Sequence, residues 1–338
     1  MPRFVLPVEG LTVAAPWRLG GLLLHDRAGV ERVVDEYLRS ERDRDPECLP
    51  PAFLESIERL RAACLAEVDA PTVLDAVGRL ADVVDVLRVF QYWLANSRTT
   101  AFGLAGDVRL ARITYLRLGV AAGAGFLDDG ALLGYAFTAE AQERLHGSLF
   151  GRAAGLAGKD GGEPGEARLK LAFLLLARAT REHRPSLRQL GTIIAVETLL
   201  GGRAGKYALA RRAAYFTCGL ADDDLCGRAR PACHFLTLDA RDRPSLRALR
   251  RYTDQARQDV RARCSEWLDF LDRYDDRSGV AHGDPDTVVS AGDADKDLWW
   301  AVKNLLVPAG TWLLEHPREP AEDLDRALGV LGTDDDPA

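Results

Sequence analysis

Residues 154–183 read AGLAGKDGGEPGEARLKLAFLLLARATREH, and this run divides the chain. Its first part mixes glycine, charge and a proline, the composition of a linker. From Glu166 onward apolar residues recur at helical spacing, and every later segment reads as helix. The helices are expected over 166–183, 187–200, 205–219, 244–274 and 295–314. Pro185 and Ser186 separate the first two, Gly201 and Gly202 end the second, and Pro308 is expected to kink the last. The fold class is therefore mainly α. It divides into an N-terminal α/β region over 1–153, a linker over 154–165, a helical bundle over 166–316 and an acidic tail over 317–338.

The region before the linker is mixed. FVLPVEGLTV and WRLGGLLLH, punctuated by Gly and Pro, suggest a strand pair. Residues 51–68 and 71–94 carry apolar side chains near a 3.6 period and each opens with a proline, which predicts two helices. TAFGLAGDVRLARITYLRLG reads as one or two strands, and GAGFLDDG, which lacks GxGxxG spacing, as a turn. TAEAQERLHGSLF reads as a short helix capped by Thr138.

The chain has 338 residues, is 47% hydrophobic and 28% charged, and has no apolar run long enough to span a bilayer. MPRFVLPVEG lacks a signal-peptide layout, so a cytoplasmic protein with no membrane partner is expected. The net charge of −7 argues against a nucleic-acid binder, but its distribution does not. Residues 165–264 hold 20 Lys plus Arg against 10 Asp plus Glu, and only two of the 20 are Lys. Arginine meets phosphate oxygens in pairs. Arg247, Arg250, Arg251 and Arg257 are the candidate RNA-binding residues of this window. Solvated helix faces are the plainer reading of any single charge.

Several chemistries leave no trace. There is no phosphate-binding GxxxxGK[ST] loop, no HExxH and no GxSxG. His25, His146, His183 and His316 have no evident partner in the sequence and read as surface or helix-end residues. Cys218, Cys226, Cys233 and His234 lie within 17 residues, with Cys264 further on. Their spacings are wider than the knuckles of structural zinc sites. Free thiols are the expectation, with no metal and no cofactor.

One pattern stands apart. Arg277-Ser278-Gly279-Val280-Ala281-His282 places a guanidinium and an imidazole five positions apart near a predicted helix end. The run RYDDRSGVAHG resembles the signature Arg-x4-His segment of the Apea-like HEPN family. TIIAVETLLG resembles that family's helix with a Glu before paired leucines, and KYALARRAAYF its next helix with a central Arg. The order of these segments matches a HEPN-type helical bundle over 166–316.

The resemblance implies a metal-independent endoribonuclease, a defence or toxin-like RNase that acts as a homodimer through the bundle. An antitoxin or activator is possible in such systems. His282 would move a proton between the RNA 2′-OH and the leaving oxygen. Arg277 would hold the scissile phosphate, and Ser278 would orient phosphate or His. Glu197 and Arg211 would form an internal polar pair. The alternative is a non-catalytic dimerisation module with an N-terminal sensing region. In that reading Arg277 caps its helix and Asp275 and Asp276 neutralise it.

Overall fold

A computed structural model describes residues 2–44, 60–61, 63–95, 102–104, 112–117, 123–128, 135–159, 162–201, 209, 212–213, 216–217, 273–274, 278–282 and 289–318. The chain forms two compact units, Met1–Asp160 and Gly161–Ala338. It is largely helical, with a small antiparallel sheet in the first unit.

That sheet contains β1 (Arg3–Val8), β3 (Trp17–Leu19), β4 (Leu22–Leu24) and β5 (Cys64–Asp69) in the order β1-β5-β4-β3. All its pairings are antiparallel, with Val5 opposite Glu67 and Leu23 between Glu67 and Arg18. A two-glycine turn joins β3 to β4, with Gly20 at φ 58° and Gly21 at φ 78°. That is the left-handed geometry a tight hairpin requires. Gly20 is needed for a second reason: a Cβ there would sit 2.2 Å from the Ala154 carbonyl oxygen. β2 (Leu11–Val13) pairs in parallel with β8 (Tyr135–Phe137). β6 (Arg112–Arg117) and β7 (Gly123–Asp128) form a separate antiparallel ribbon.

Three expectations change here. The predicted 51–68 helix ends by residue 61 among the described residues, and its last apolar stretch is strand β5. Cys64, Leu65, Ala66 and Val68 are all buried, because β5 is interior to the sheet and covered on both faces. A strand buried on both faces loses the two-residue alternation that identifies strands in sequence. GAGFLDDG is not a turn but contains β7. A helix that was not expected, α1 (Arg27–Arg44), follows β4. Asp26 opens it by accepting the Gly29 N–H at 2.9 Å, and Val30, Val33, Val34 and Leu38 turn toward Leu65.

α2 (Val73–Ala95) starts with a reciprocal cap. The Thr72 hydroxyl accepts the Asp75 N–H at 3.2 Å while Asp75 accepts the Thr72 N–H at 3.1 Å. Its middle is buried almost all round, polar residues included: Arg88 donates to Asp85 at 3.1 Å and to the Phe102 carbonyl at 3.0 Å. Phe90 stands in an aromatic cluster with Trp93, Phe137 and Phe150. α3 (Ala139–His146) begins at the predicted cap, Thr138 accepting from the Ala141 N–H. α4 (Leu149–Ala154) follows with Ser148 as its cap. Ala154 and Leu156, expected in the linker, are buried side chains of this unit.

In the second unit α5 (Pro164–Arg181) and α6 (Pro185–Leu200) form a helical hairpin. Each carries proline in its first turn, where no N–H is needed. Gly201 ends α6 at φ 100°, its N–H returning to the Glu197 carbonyl. α7 (Ala291–Trp300) passes through a π-helical turn at Ala301–Leu305 into α8 (Leu306–Glu315). The π turn lies just before Pro308, whose ring opposes the carbonyl four residues earlier. The irregularity expected at this proline therefore appears as a widened turn. Leu169, Phe173, Leu176, Ile193, Val196, Leu298, Val302, Leu305 and Leu313 make the core.

Candidate functional site

Of the Arg-x4-His residues, Ser278 and His282 are described and Arg277 lies outside the described residues. Residues 278–282 are helical. His282, expected in a turn, thus continues a helix, one turn beyond Ser278 and on its face. Ser278 is half-buried and His282 exposed. An exposed imidazole is open to a proton donor from solution or substrate, which a general acid or base requires.

The chain just before the motif is anchored by a buried polar network. The Arg273 Nε donates to Asp297 Oδ1 at 2.5 Å, and the Gln189 Nε2 donates to Asp297 Oδ2 at 2.9 Å. The Arg273 guanidinium lies 4.7 Å over the Trp300 ring. Burial pushes the Asp297 carboxyl above its ordinary range, and the hydrogen bond from Gln189 and the charge of Arg273 pull it back in part. Beside it Arg188, almost wholly buried, donates to Asp295 and to the Glu182 carbonyl at 2.9 Å. These groups tie the 273–274 helical segment to α6 and α7, four residues ahead of Arg277.

Sequence reasoning missed this network. Gln189 shares a helical stripe with Ile193, Val196 and Leu200, and Asp297 one with Ala294 and Ala301, all buried. A polar residue at a core position was the available signal. Its partner could not be read, because Gln189 and Asp297 lie 108 positions apart.

The positive window reads differently in structure. Arg188 works inside the bundle, and Arg212 is buried and donates to the Leu200 carbonyl at 2.6 Å. The side-chain nitrogens of Arg168 are buried without a hydrogen-bond partner among the described residues; burial first, then the charge of Arg212, lowers its pKa. These three arginines therefore do not add to a solvent-facing phosphate track. Arg247, Arg250, Arg251 and Arg257 lie outside the described residues. Glu197 is buried on α6, and its expected partner Arg211 lies outside the described residues.

Cys218, Cys226, Cys233, His234 and Cys264 also lie outside them. Among the described residues no group of three or more His, Cys, Asp or Glu could hold a metal. Three histidines expected to be unpartnered are not: the His316 Nδ1 lies 3.0 Å from the Trp312 carbonyl oxygen. His25 meets Glu67 at 2.9 Å, and the His146 Nε2 accepts from the Trp17 Nε1 at 2.9 Å. Among the described residues no helix is long and apolar enough to cross a membrane. No protein-family model, curated protein or solved structure matches this chain.

Proposed function

We propose that this protein is a metal-independent endoribonuclease of the HEPN type, acting as a homodimer. The observation that carries the reading is the run Arg277-Ser278-Gly279-Val280-Ala281-His282, with His282 exposed on its helix. A neutral His282 takes the proton of an RNA 2′-OH, and the oxygen attacks the adjacent phosphorus. The 5′-oxygen leaves and takes a proton from an imidazolium, so a 2′,3′-cyclic phosphate and a free 5′-OH result. Arg277 offsets the negative charge that builds on the phosphoryl oxygens. One chain supplies one Arg and one His in this motif, while a dimer supplies two rings, one for each proton transfer.

The test uses an RNA oligonucleotide and its all-deoxy counterpart, in EDTA. The protein cuts the RNA, leaves cyclic phosphate ends and spares the deoxy strand. Cleavage that needs a divalent ion, or that accepts the deoxy strand, overturns the reading. The second reading, a non-catalytic interaction module, is favoured by Asp275 and Asp276, which can occupy Arg277 in place of phosphate. It predicts no cleavage of any RNA, together with dimerisation that does not depend on His282.

A further inference from the structure

A cavity of about 340 Å³ opens on the α1 side of the four-stranded sheet in the N-terminal unit, a volume within the range of small-molecule sites. The sheet register explains its lining. Arg18, Leu23 and Glu67 form one rung across β3, β4 and β5, and Arg3 stands opposite Asp69. Residues two apart on a strand share a face, so Glu67 and Asp69 line up with Leu65. Helix α1 adds Gly29, Arg32, Val33 and Glu36, whose spacing of three, four and seven is one helical face. Leu65 packs on Val30 and Val34. The same sheet face thus passes from apolar core to charged cavity within two residues.

His25 and Glu67 form the floor, 2.9 Å apart, with His25 only 9% exposed. Gly29 permits that arrangement: a Cβ there would come within 2.7 Å of the His25 Nδ1. Glu67 also meets Arg3 at 3.3 Å, and Arg3 reaches Asp69 at 3.5 Å. The floor acids are therefore already partnered. Arg18 and Arg32 are exposed cavity residues that make no ion pair or hydrogen bond among the described residues. Glu36, also exposed, leaves a carboxylate available beside them. Guanidiniums without an ion-pair partner among the described residues, lining a void beside a half-buried His–carboxylate pair, are suited to an oxyanion that enters from solvent.

We propose that this cavity binds a small phosphorylated molecule, a phosphomonoester joined to a hydroxylated ring. The phosphate meets Arg18 and Arg32, and ring hydroxyls donate to the carboxylate of Glu36. The site belongs to the N-terminal unit and stands whether or not the chain cleaves RNA. Calorimetric titration of the full chain tests it with ribose 5-phosphate, adenosine monophosphate, adenosine and inorganic phosphate. At least one of the two phosphomonoesters binds, and adenosine and inorganic phosphate bind far more weakly. Which phosphomonoester wins tells a bare sugar phosphate from a nucleotide. Arg18→Gln and Arg32→Gln each weaken binding about tenfold, and the double variant abolishes it. Arg39→Gln, also on α1 but outside the cavity, leaves it unchanged. The proposal is overturned if neither phosphomonoester binds at millimolar concentration. It is overturned equally if the double variant binds as the parent does, or if inorganic phosphate binds as tightly as the better phosphomonoester.

Discussion

Two polar sites, one in each unit, differ in how their groups are paired. In the second, Gln189 and Arg273 both donate to Asp297 between helices, with Gln189 Oε1 and Arg273 Nη1 buried and without a hydrogen-bond partner among the described residues. In the first, His25 and Glu67 form a pair lining a cavity, and Arg18 and Arg32, which also line it, make no ion pair or hydrogen bond among the described residues. Donors that share one buried acceptor fix one another's position. Charged groups left open around a void have capacity for a ligand. The first kind should resist any change of partner; the second should tolerate loss of a rim charge with little effect on folding.

The largest stability effect is expected at this shared acceptor. Asp297→Ala leaves Arg273 and Gln189 without their acceptor inside the bundle, and should cost about 3 kcal/mol in urea unfolding. Asp297→Asn keeps an acceptor for Gln189 and should cost much less. Burial raises the folded-state pKa of this carboxyl, so the folded protein holds the proton longer than the unfolded chain. Its contribution to stability is full below about pH 4 and falls as pH rises through the folded-state value. The difference between Asp297→Asn and the parent should therefore shift in the variant's favour from pH 4 to pH 7. By contrast Arg18→Gln, at the open rim, should change stability by less than about 0.5 kcal/mol.

A smaller effect separates two neighbouring glycines of the first unit. Gly20→Ala meets both a left-handed backbone and the Ala154 carbonyl oxygen, and should cost about 2–3 kcal/mol. Gly21→Ala meets only the backbone term, with open space around its Cβ, and should cost about 1 kcal/mol. Equal costs in thermal unfolding would mean that the contact with Ala154 does not constrain the hairpin.

The smallest expected signal is chemical. Burial pushes the Cys64 thiol up to about 12, offset only in part by a backbone hydrogen bond of His25. At neutral pH almost no thiolate is present, so the folded protein should leave Cys64 unalkylated while denatured chain reacts readily. Peptide mapping after iodoacetamide treatment reads this site alone. Rapid labelling of Cys64 in native buffer would show that β5 opens easily.

Much of the helical framework was legible because its signals are local. Thr138 caps α3 and Gly201 closes α6 as expected, while Pro164 and Pro185, read as linker and separator, stand in the first turns of α5 and α6. β5 was not, since Cys64, Leu65, Ala66 and Val68 are apolar or small on both faces and mimic part of a helix. α1 had a readable signal in Asp26 followed by Val30, Val33 and Val34, but charged residues fill the rest of its length. The polar sites were the least legible. His25 and Glu67 lie 42 positions apart, and only the β4–β5 register brings them together. For the Arg-x4-His run the sequence carried the pattern, while the helical placement of His282 came from the structure.

The central claim is that His282 does chemistry while the buried network behind it only holds position. RNA cleavage in EDTA by the parent and by His282→Ala, with melting temperature and dimer mass measured on the same samples, tests it most directly. The account predicts cleavage by the parent and none by His282→Ala, with both proteins equally stable and equally dimeric, since an exposed side chain carries little of the fold. Cleavage that persists in His282→Ala at the parent's rate would contradict it.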